Sequence, residues 1–503
     1  MKKETIPDRY FYLAITILGI YFLIRLIDQA RMIWTFPLGV TYDYPSHLGQ
    51  LFFFAKYGFH STVPNWYNGF KLFLFYPPGW YLLALPIYIT TKNILLTTYS
   101  TIIIMFAAIF TGIWLLGKKE GWSKTKRTAF FLLLFGNTLA VGNYIRLGRV
   151  SELFALTNLV LLAALIYIYK DKKLDIWFAI LFGISYPLLI LGHPATAIIF
   201  HVLLLSFLIT RKTASDIITL TLLTITGLLV SSFWWYPFLT TKSNELARST
   251  FSVTQRLLDF NYWAWDSWGT FIIVGAFLAT FYLYWATNKK TRRDLIFYMP
   301  PIIVSILLIT RTVIFIPILK EVYPDVYMMF FLLLTLYMLM NINFKKTPSI
   351  FKVIILAMLM ITPIASVFAS HIHTPYFIGH MDKEDRTIEI MRYVDGKVVI
   401  RDKPIDFVGV YPFPLYTYGA IHYDIKTPEG NNNFRTTTTE NEKRFGELTE
   451  TVEEGDCTKL KTVMNQLTAE EIISYDHYCP MLERCGLIKI KQIENVCLYK
   501  IIS

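Results

Sequence analysis

The sequence predicts a polytopic α-helical membrane protein of about eleven transmembrane helices with a small C-terminal mixed α/β extracytoplasmic domain. Three observations carry this. Of 503 residues, 54% are hydrophobic, 17% aromatic and only 17% charged, against about 25% charged in a soluble domain. The apolar residues come in blocks of about 17–25, the length that crosses a hydrocarbon core of about 30 Å. The character of the chain then changes near His371, where charged runs and short strand-like stretches replace the apolar blocks.

Crossings are expected near 10–30, 95–117, 128–145, 150–169, 175–192, 195–210, 216–238, 268–287, 295–318, 326–342 and 350–370. The first is a retained span: no small-residue cleavage site follows it, and Arg25, Asp28 and Arg31 continue the helix. The block Phe73–Thr90 is a poor unbroken span, since it opens Tyr76-Pro77-Pro78-Gly79 and contains Pro86. Sidedness decides its place. If it does not cross, the basic clusters at 2–9, 118–127, 170–173, 211–212, 289–293 and 345–346 share one side with 19 Lys and Arg, against nine in the opposite loops. The positive-inside rule then puts the N-terminus in the cytoplasm. Phe73–Thr90 becomes a membrane-dipping part of a first external loop at 37–94, and the C-terminus lies outside. The division is a membrane domain, 1–370, and an outer domain, 371–503.

The outer domain is long enough for a core of its own, with strands expected at Lys397–Ile400, Ile472–Tyr475 and Leu487–Ile490. It holds all four cysteines, Cys457, Cys479, Cys485 and Cys497, as suits an oxidising exterior. Their spacing lacks the short paired gaps of a zinc site, and three disulfide pairings remain open. The polar run from Asn431 to Thr439 reads as an exposed loop. The net charge of +12 and pI near 9.2 do not imply nucleic acid, because the excess is spread over short loops where lipid headgroups and insertion account for it. Neither a phosphate-cradling P-loop nor a dinucleotide fingerprint is present.

Chemistry-bearing residues gather on the external side. Asp43 lies just beyond the first span in Thr41-Tyr42-Asp43-Tyr44-Pro45-Ser46-His47. It is suited to act as a base, or merely to cap the next helix. The loop continues through Asn65-Trp66-Tyr67-Asn68-Gly69-Phe70 to Phe75-Tyr76-Pro77-Pro78. Its aromatics fit an interfacial belt, while the interleaved asparagines and glycine favour a binding loop for a sugar or isoprenoid, with His47, Trp66, Tyr67 and Tyr76 as candidate contacts. The second loop, Tyr144 to Glu152, sets Arg146 and Arg149 at the membrane surface. Guanidinium matches phosphate oxygens in a fork geometry; the plainer alternative is an Arg149–Glu152 pair at helix spacing. Glu152, an ionisable group entering an apolar span, is a functional candidate. His193, in the next external turn, joins Arg146 and Arg149 as a candidate phosphate contact.

An Asp beyond the first span, the Trp66-Tyr67-Asn68-Gly69 stretch, the Tyr76-Pro77-Pro78 turn and the Arg146…Glu152 spacing together resemble the GT-C superfamily of integral-membrane glycosyltransferases. The pattern covers about residues 10–200; the later spans agree only in architecture. The nearest resemblance is to prokaryotic members with a soluble outer domain. It implies transfer of a sugar from a polyprenyl-phosphate-type donor to a glycan or other hydroxyl acceptor on the outer leaflet. It also implies that Asp43 is the base or an acceptor-orienting group and Glu152 a candidate ligand for a divalent metal ion, and that configuration inverts at the sugar carbon. The chain departs from the oligosaccharyltransferases in two places. It has no Asp-x-Asp in the second loop, which leaves metal dependence open, and Trp234-Trp235 is followed by Tyr236 rather than Asp, so transfer to asparagine is not supported. Two rivals stand beside this reading: a lipid or oligosaccharide transporter or flippase, with Arg25, Asp28 and Arg311 along a pathway, and a non-catalytic assembly protein for a cell-surface glycan.

Overall fold

A computed structural model describes residues 5–37, 43–241, 265–288, 291–373, 382–400, 413–430, 439–476 and 478–501. The membrane part runs α1 (Tyr12–Trp34), then α4 (Ile94–Lys119), α5 (Lys124–Phe135), α6 (Thr138–Ala140), α7 (Val150–Tyr169), α8 (Ile176–Gly192), α9 (Pro194–Ile209), α10 (Ala214–Val230) and α11 (Ser232–Thr240). It continues with α12 (Trp265–Asn288), α13 (Arg292–Ile309), α14 (Pro324–Asn341) and α15 (Ser349–His373). Among the described residues, six helices are long and apolar enough to cross a membrane, or eight if each of two bent pairs is one span. That is fewer than the expected eleven: α8 and α9 have only 17 and 16 residues, and α13 opens on Arg292, Arg293 and Asp294.

Helix α7 is apolar on every side and almost wholly enclosed by its neighbours, as expected of a helix with no polar face to turn to solvent. It is the axis of the bundle. Helices α1 and α15 are largely unenclosed, exposing Ile20, Leu23, Ile24 and Ile27, and Ile350, Val353 and Ile361. Faces this apolar require a lipid environment.

Two expected spans are bent. The run expected at 128–145 breaks between α5 and α6 with a 52° change of direction. Asn137 makes the break tolerable. Its side-chain amide donates to the carbonyls of Leu133 and Leu134 at 2.9 Å, and its oxygen accepts from Ala140 N at 3.1 Å. Backbone groups freed on both sides are thereby satisfied. A π-helical turn, Val141–Arg146, follows, of the kind found often at functional sites. The second bend, 65°, separates α10 from α11.

The loop expected to be external is itself folded. It holds α2 (Asp43–Tyr57), a two-stranded hairpin, β1 (Thr62–Val63) and β2 (Phe70–Lys71), and α3 (Gly79–Thr91). At 13 residues, α3 is about 20 Å long, too short to span, in accord with the membrane-dipping reading of Phe73–Thr90.

The outer domain has helices α16 (Asp382–Ile390), α17 (Phe413–Tyr423), α18 (Thr439–Glu454), α19 (Cys457–Gln466) and α20 (Tyr478–Arg484). They accompany a four-stranded sheet of β3 (Val398–Ile400), β4 (Glu471–Tyr475), β5 (Ile488–Ile493) and β6 (Val496–Lys500) in the order β3-β4-β6-β5. Only β3 and β4 run parallel. The three expected strands are present; β6 was not expected. Disulfides join Cys457 to Cys485 and Cys479 to Cys497, settling the open pairing. Residues 431–438 of the expected polar loop lie outside the described residues, and Thr439 opens α18.

The outer domain is fastened to the first loop. Asn65 Nδ2 donates to Asp424 Oδ1 at 2.9 Å and to the Ile425 carbonyl at 3.0 Å. Asn68 Nδ2 donates to the Leu467 carbonyl at 3.1 Å, and Lys56 pairs with Asp424 at 2.7 Å. The outer domain and Asp43 therefore share one side of the bundle.

Candidate active site

Asp43 is the first residue of α2, and its backbone N–H donates to the Leu147 carbonyl at 3.1 Å. Next to it the Tyr44 hydroxyl donates to the Ile145 carbonyl at 3.0 Å. These two bonds pin the start of α2 to the chain leaving the π-helical turn. Gly148 makes the approach possible: its φ is +76°, and a Cβ there would lie 2.3 Å from the Tyr44 ring. The Asp43 carboxylate forms no hydrogen bond with the described residues, so the capping role weighed for it has no counterpart in this geometry. Burial raises its pKa to about 6, and the Arg149 guanidinium opposes the rise.

Arg149 is the centre of the cluster. Its Nη1 bonds Asp325 and lies 3.6 Å from Glu152 Oε2. No described residue bonds its Nε or Nη2, and its side chain keeps 28% exposure, so one edge of the fork faces outward. Tyr144 donates to Glu152 Oε1 at 3.0 Å, and Asn143 Nδ2 donates to Asp325 Oδ2 at 3.4 Å. The expected helix-spaced pair of Arg149 with Glu152 is present, but the closer partner is Asp325.

The sequence reading missed Asp325. It begins α14 after Pro324 and is buried; the span was expected to start at 326, which left this carboxylate just outside. The signal was the one applied to Glu152, an acid at the entrance of an apolar helix.

The other expected residues divide. Tyr76 lies within the electrostatic reach of Asp43, Glu152 and Arg149. His47, one turn along α2 from Asp43, meets the Tyr76 ring edge-on at 5.5 Å between centroids, and its Nδ1 lies 2.7 Å from the Tyr81 hydroxyl. Its Nε2 is buried without a partner. Burial pushes the His47 pKa down to about 3, so the ring is neutral. His193 feels Asp325 and Arg149, but burial dominates and lowers it to about 4. It can offer a phosphate a hydrogen bond but not a charge. Arg146 is buried and points Nη1 at Met32 Sδ, 3.0 Å away, so it lies deeper than the outward edge of Arg149.

Trp66 and Tyr67 sit elsewhere. Trp66 is fully buried against Phe53 and Phe70, between Gly49 and Gly430, where added Cβ atoms would lie 2.3 and 2.8 Å from its ring. Tyr67 N donates to the Glu429 carbonyl at 3.0 Å. With Asn65 and Asn68 bonded to the C-terminal domain, this stretch serves as a docking element for it.

The residues present do not fit a metal site. No group of three or more His, Cys, Asp or Glu among the described residues is placed to hold an ion, and the two carboxylates nearest Arg149 are already bridged by its guanidinium. Glu152, expected as a candidate ligand, accepts from Tyr144 and pairs with Arg149.

No sequence-family model and no curated protein matches this chain. Solved structures do. A mycobacterial arabinofuranosyltransferase, AftD, superposes with a TM-score of 0.59 at 13% identity over 100% of this chain and 40% of its own. An archaeal oligosaccharyltransferase from Archaeoglobus fulgidus gives 0.57 at 10% identity over 92% of this chain and 70% of its own. The same archaeal protein, AglB, in complex with an inhibitory peptide and a dolichol-phosphate gives 0.52 at 11% identity. The chain thus spans well under half the length of the mycobacterial protein. The fold of this chain is the one that the arabinofuranosyltransferase and the oligosaccharyltransferase share.

Proposed function

We propose that this chain is a membrane glycosyltransferase that moves a sugar from a polyprenyl-phosphate-type donor to a hydroxyl acceptor on the extracytoplasmic face, with Asp43 as the base. One observation carries the reading: a partly buried carboxylate, without a hydrogen-bond partner among the described residues, stands at the start of α2 within the field of a partly exposed guanidinium, in a fold known from sugar-transferring enzymes. The archaeal neighbour's dolichol-phosphate supports a lipid-phosphate donor here. The same reading takes α8, α9 and α13 as additional short spans, giving about eleven crossings.

The chemistry balances with this chain's residues alone. The acceptor oxygen bonds to the anomeric carbon while the bond from that carbon to the phosphate oxygen breaks. The lipid phosphate leaves with the electron pair, and the acceptor proton passes to Asp43. Attack opposite the leaving group inverts the carbon. The outward edge of Arg149 stabilises charge on the departing phosphate. The uncharged His193 adds a hydrogen bond, Arg146 a deeper positive charge, and neutral His47 with Tyr76 lines the approach to Asp43.

The test is Asp43→Asn, which keeps shape and capping ability and removes the base. Transfer of radiolabelled sugar from a polyprenyl-phosphate donor in membranes should fall by about two or more orders of magnitude, with protein level unchanged. Wild-type transfer by this variant would overturn the assignment.

A further inference from the structure

We infer that Arg149 is a tethered cation standing where a divalent metal ion would otherwise sit between Glu152 and Asp325, so that this chain transfers its sugar without a metal. The inference rests on the glycosyltransferase reading for its purpose but on the geometry of four carboxylate oxygens for its content. Glu152 Oε1 accepts from the Tyr144 hydroxyl, and Oε2 faces Arg149 Nη1 at 3.6 Å. Asp325 Oδ1 accepts from the backbone N–H of Val326 at 3.0 Å, while Oδ2 takes Arg149 and Asn143. Every oxygen already faces an N–H or O–H donor. A divalent ion would have to compete with these donors, and its charge would stand against a guanidinium already in place.

The arrangement has a second consequence. Two acids buried at a membrane surface repel an approaching phosphate unless they are neutralised, and an unpaired buried charge is costly. Arg149 neutralises them through Nη1 alone, leaving Nε and Nη2 unbonded by any described residue. One side chain therefore compensates the acids behind it and presents donors in front of it. A lysine has a single charged nitrogen and cannot divide these tasks.

The experiment reads Mn²⁺ binding by electron paramagnetic resonance on the purified full chain in detergent, with no turnover required. Wild type should bind no stoichiometric Mn²⁺, and transfer should survive EDTA. Arg149→Ala uncovers the two acids and should bind one Mn²⁺ at least about tenfold more tightly than wild type; the double variant Arg149→Ala/Asp325→Asn should lose that site. Tight Mn²⁺ binding by wild type that Asp325→Asn abolishes would overturn the inference, as would failure of folded Arg149→Ala to gain a site. If Arg149→Ala does not fold, the wild-type binding measurement decides alone. Failure of the glycosyltransferase reading would instead show as absent transfer with the Mn²⁺ pattern intact.

Discussion

At the scale of single residues, Asp43 is a carboxylate kept basic by burial and restrained by Arg149. Its pKa near 6 fixes the sign of the pH response. In the proposed mechanism the ionised form is the base, so kcat/KM for transfer should rise about tenfold per pH unit up to pH 6 and level off above it. Because Arg149 lowers this pKa, Arg149→Ala should move the acid limb to higher pH, beyond any change in plateau rate. A profile flat from pH 5 to 8 in wild type would remove Asp43 from the rate equation. Asp43, Arg149 and Glu152 were legible because each is a charge where an apolar span begins or ends. Asp325 carries the same signature and was lost only to a boundary drawn one residue late. Its pairing with Arg149, 176 residues earlier, leaves no local trace in the sequence.

At the scale of elements, the π-helical turn and the glycine after it deliver Arg149 to the site. The sequence showed an apolar block at 128–145 but not its break, because hydropathy averages over Asn137. The meaning of that residue lies in three hydrogen bonds that close both sides of the bend. Gly148 was equally silent, since a glycine in a short loop has many uses. Here it needs both a left-handed backbone and room for Tyr44. Gly148→Ala should therefore displace Tyr44 and with it Asp43, lowering transfer about 10²-fold, the scale of an ångström's misplacement. The left-handed strain adds about 1–2 kcal/mol of destabilisation. Gly183→Ala on α8, where a Cβ meets nothing within 4 Å, is the matched control and should transfer normally. Equal activity in the two variants would show that the Tyr44–Gly148 contact does not place the base.

At the scale of the whole molecule, three of the four strands of the C-terminal sheet were plain from the sequence. The docking of the C-terminal domain on the first loop was not. Asn65 and Asn68 looked like sugar ligands because their partners, Asp424, Ile425 and Leu467, lie hundreds of residues away, beyond any periodicity. Those bonds tie the outer domain to the side that holds Asp43, so the orientation of one fixes that of the other. Basic residues favour the opposite side by 19 to nine, which predicts that the site faces outward. All four native cysteines are paired in disulfides, so single engineered thiols report with little background. Glu453→Cys, exposed on α18, should react with a membrane-impermeant maleimide in intact cells. Lys119→Cys, exposed at the end of α4, should react only after permeabilisation. The reverse pattern would turn the molecule over, placing Asp43 on the cytoplasmic face and excluding an outer-leaflet donor.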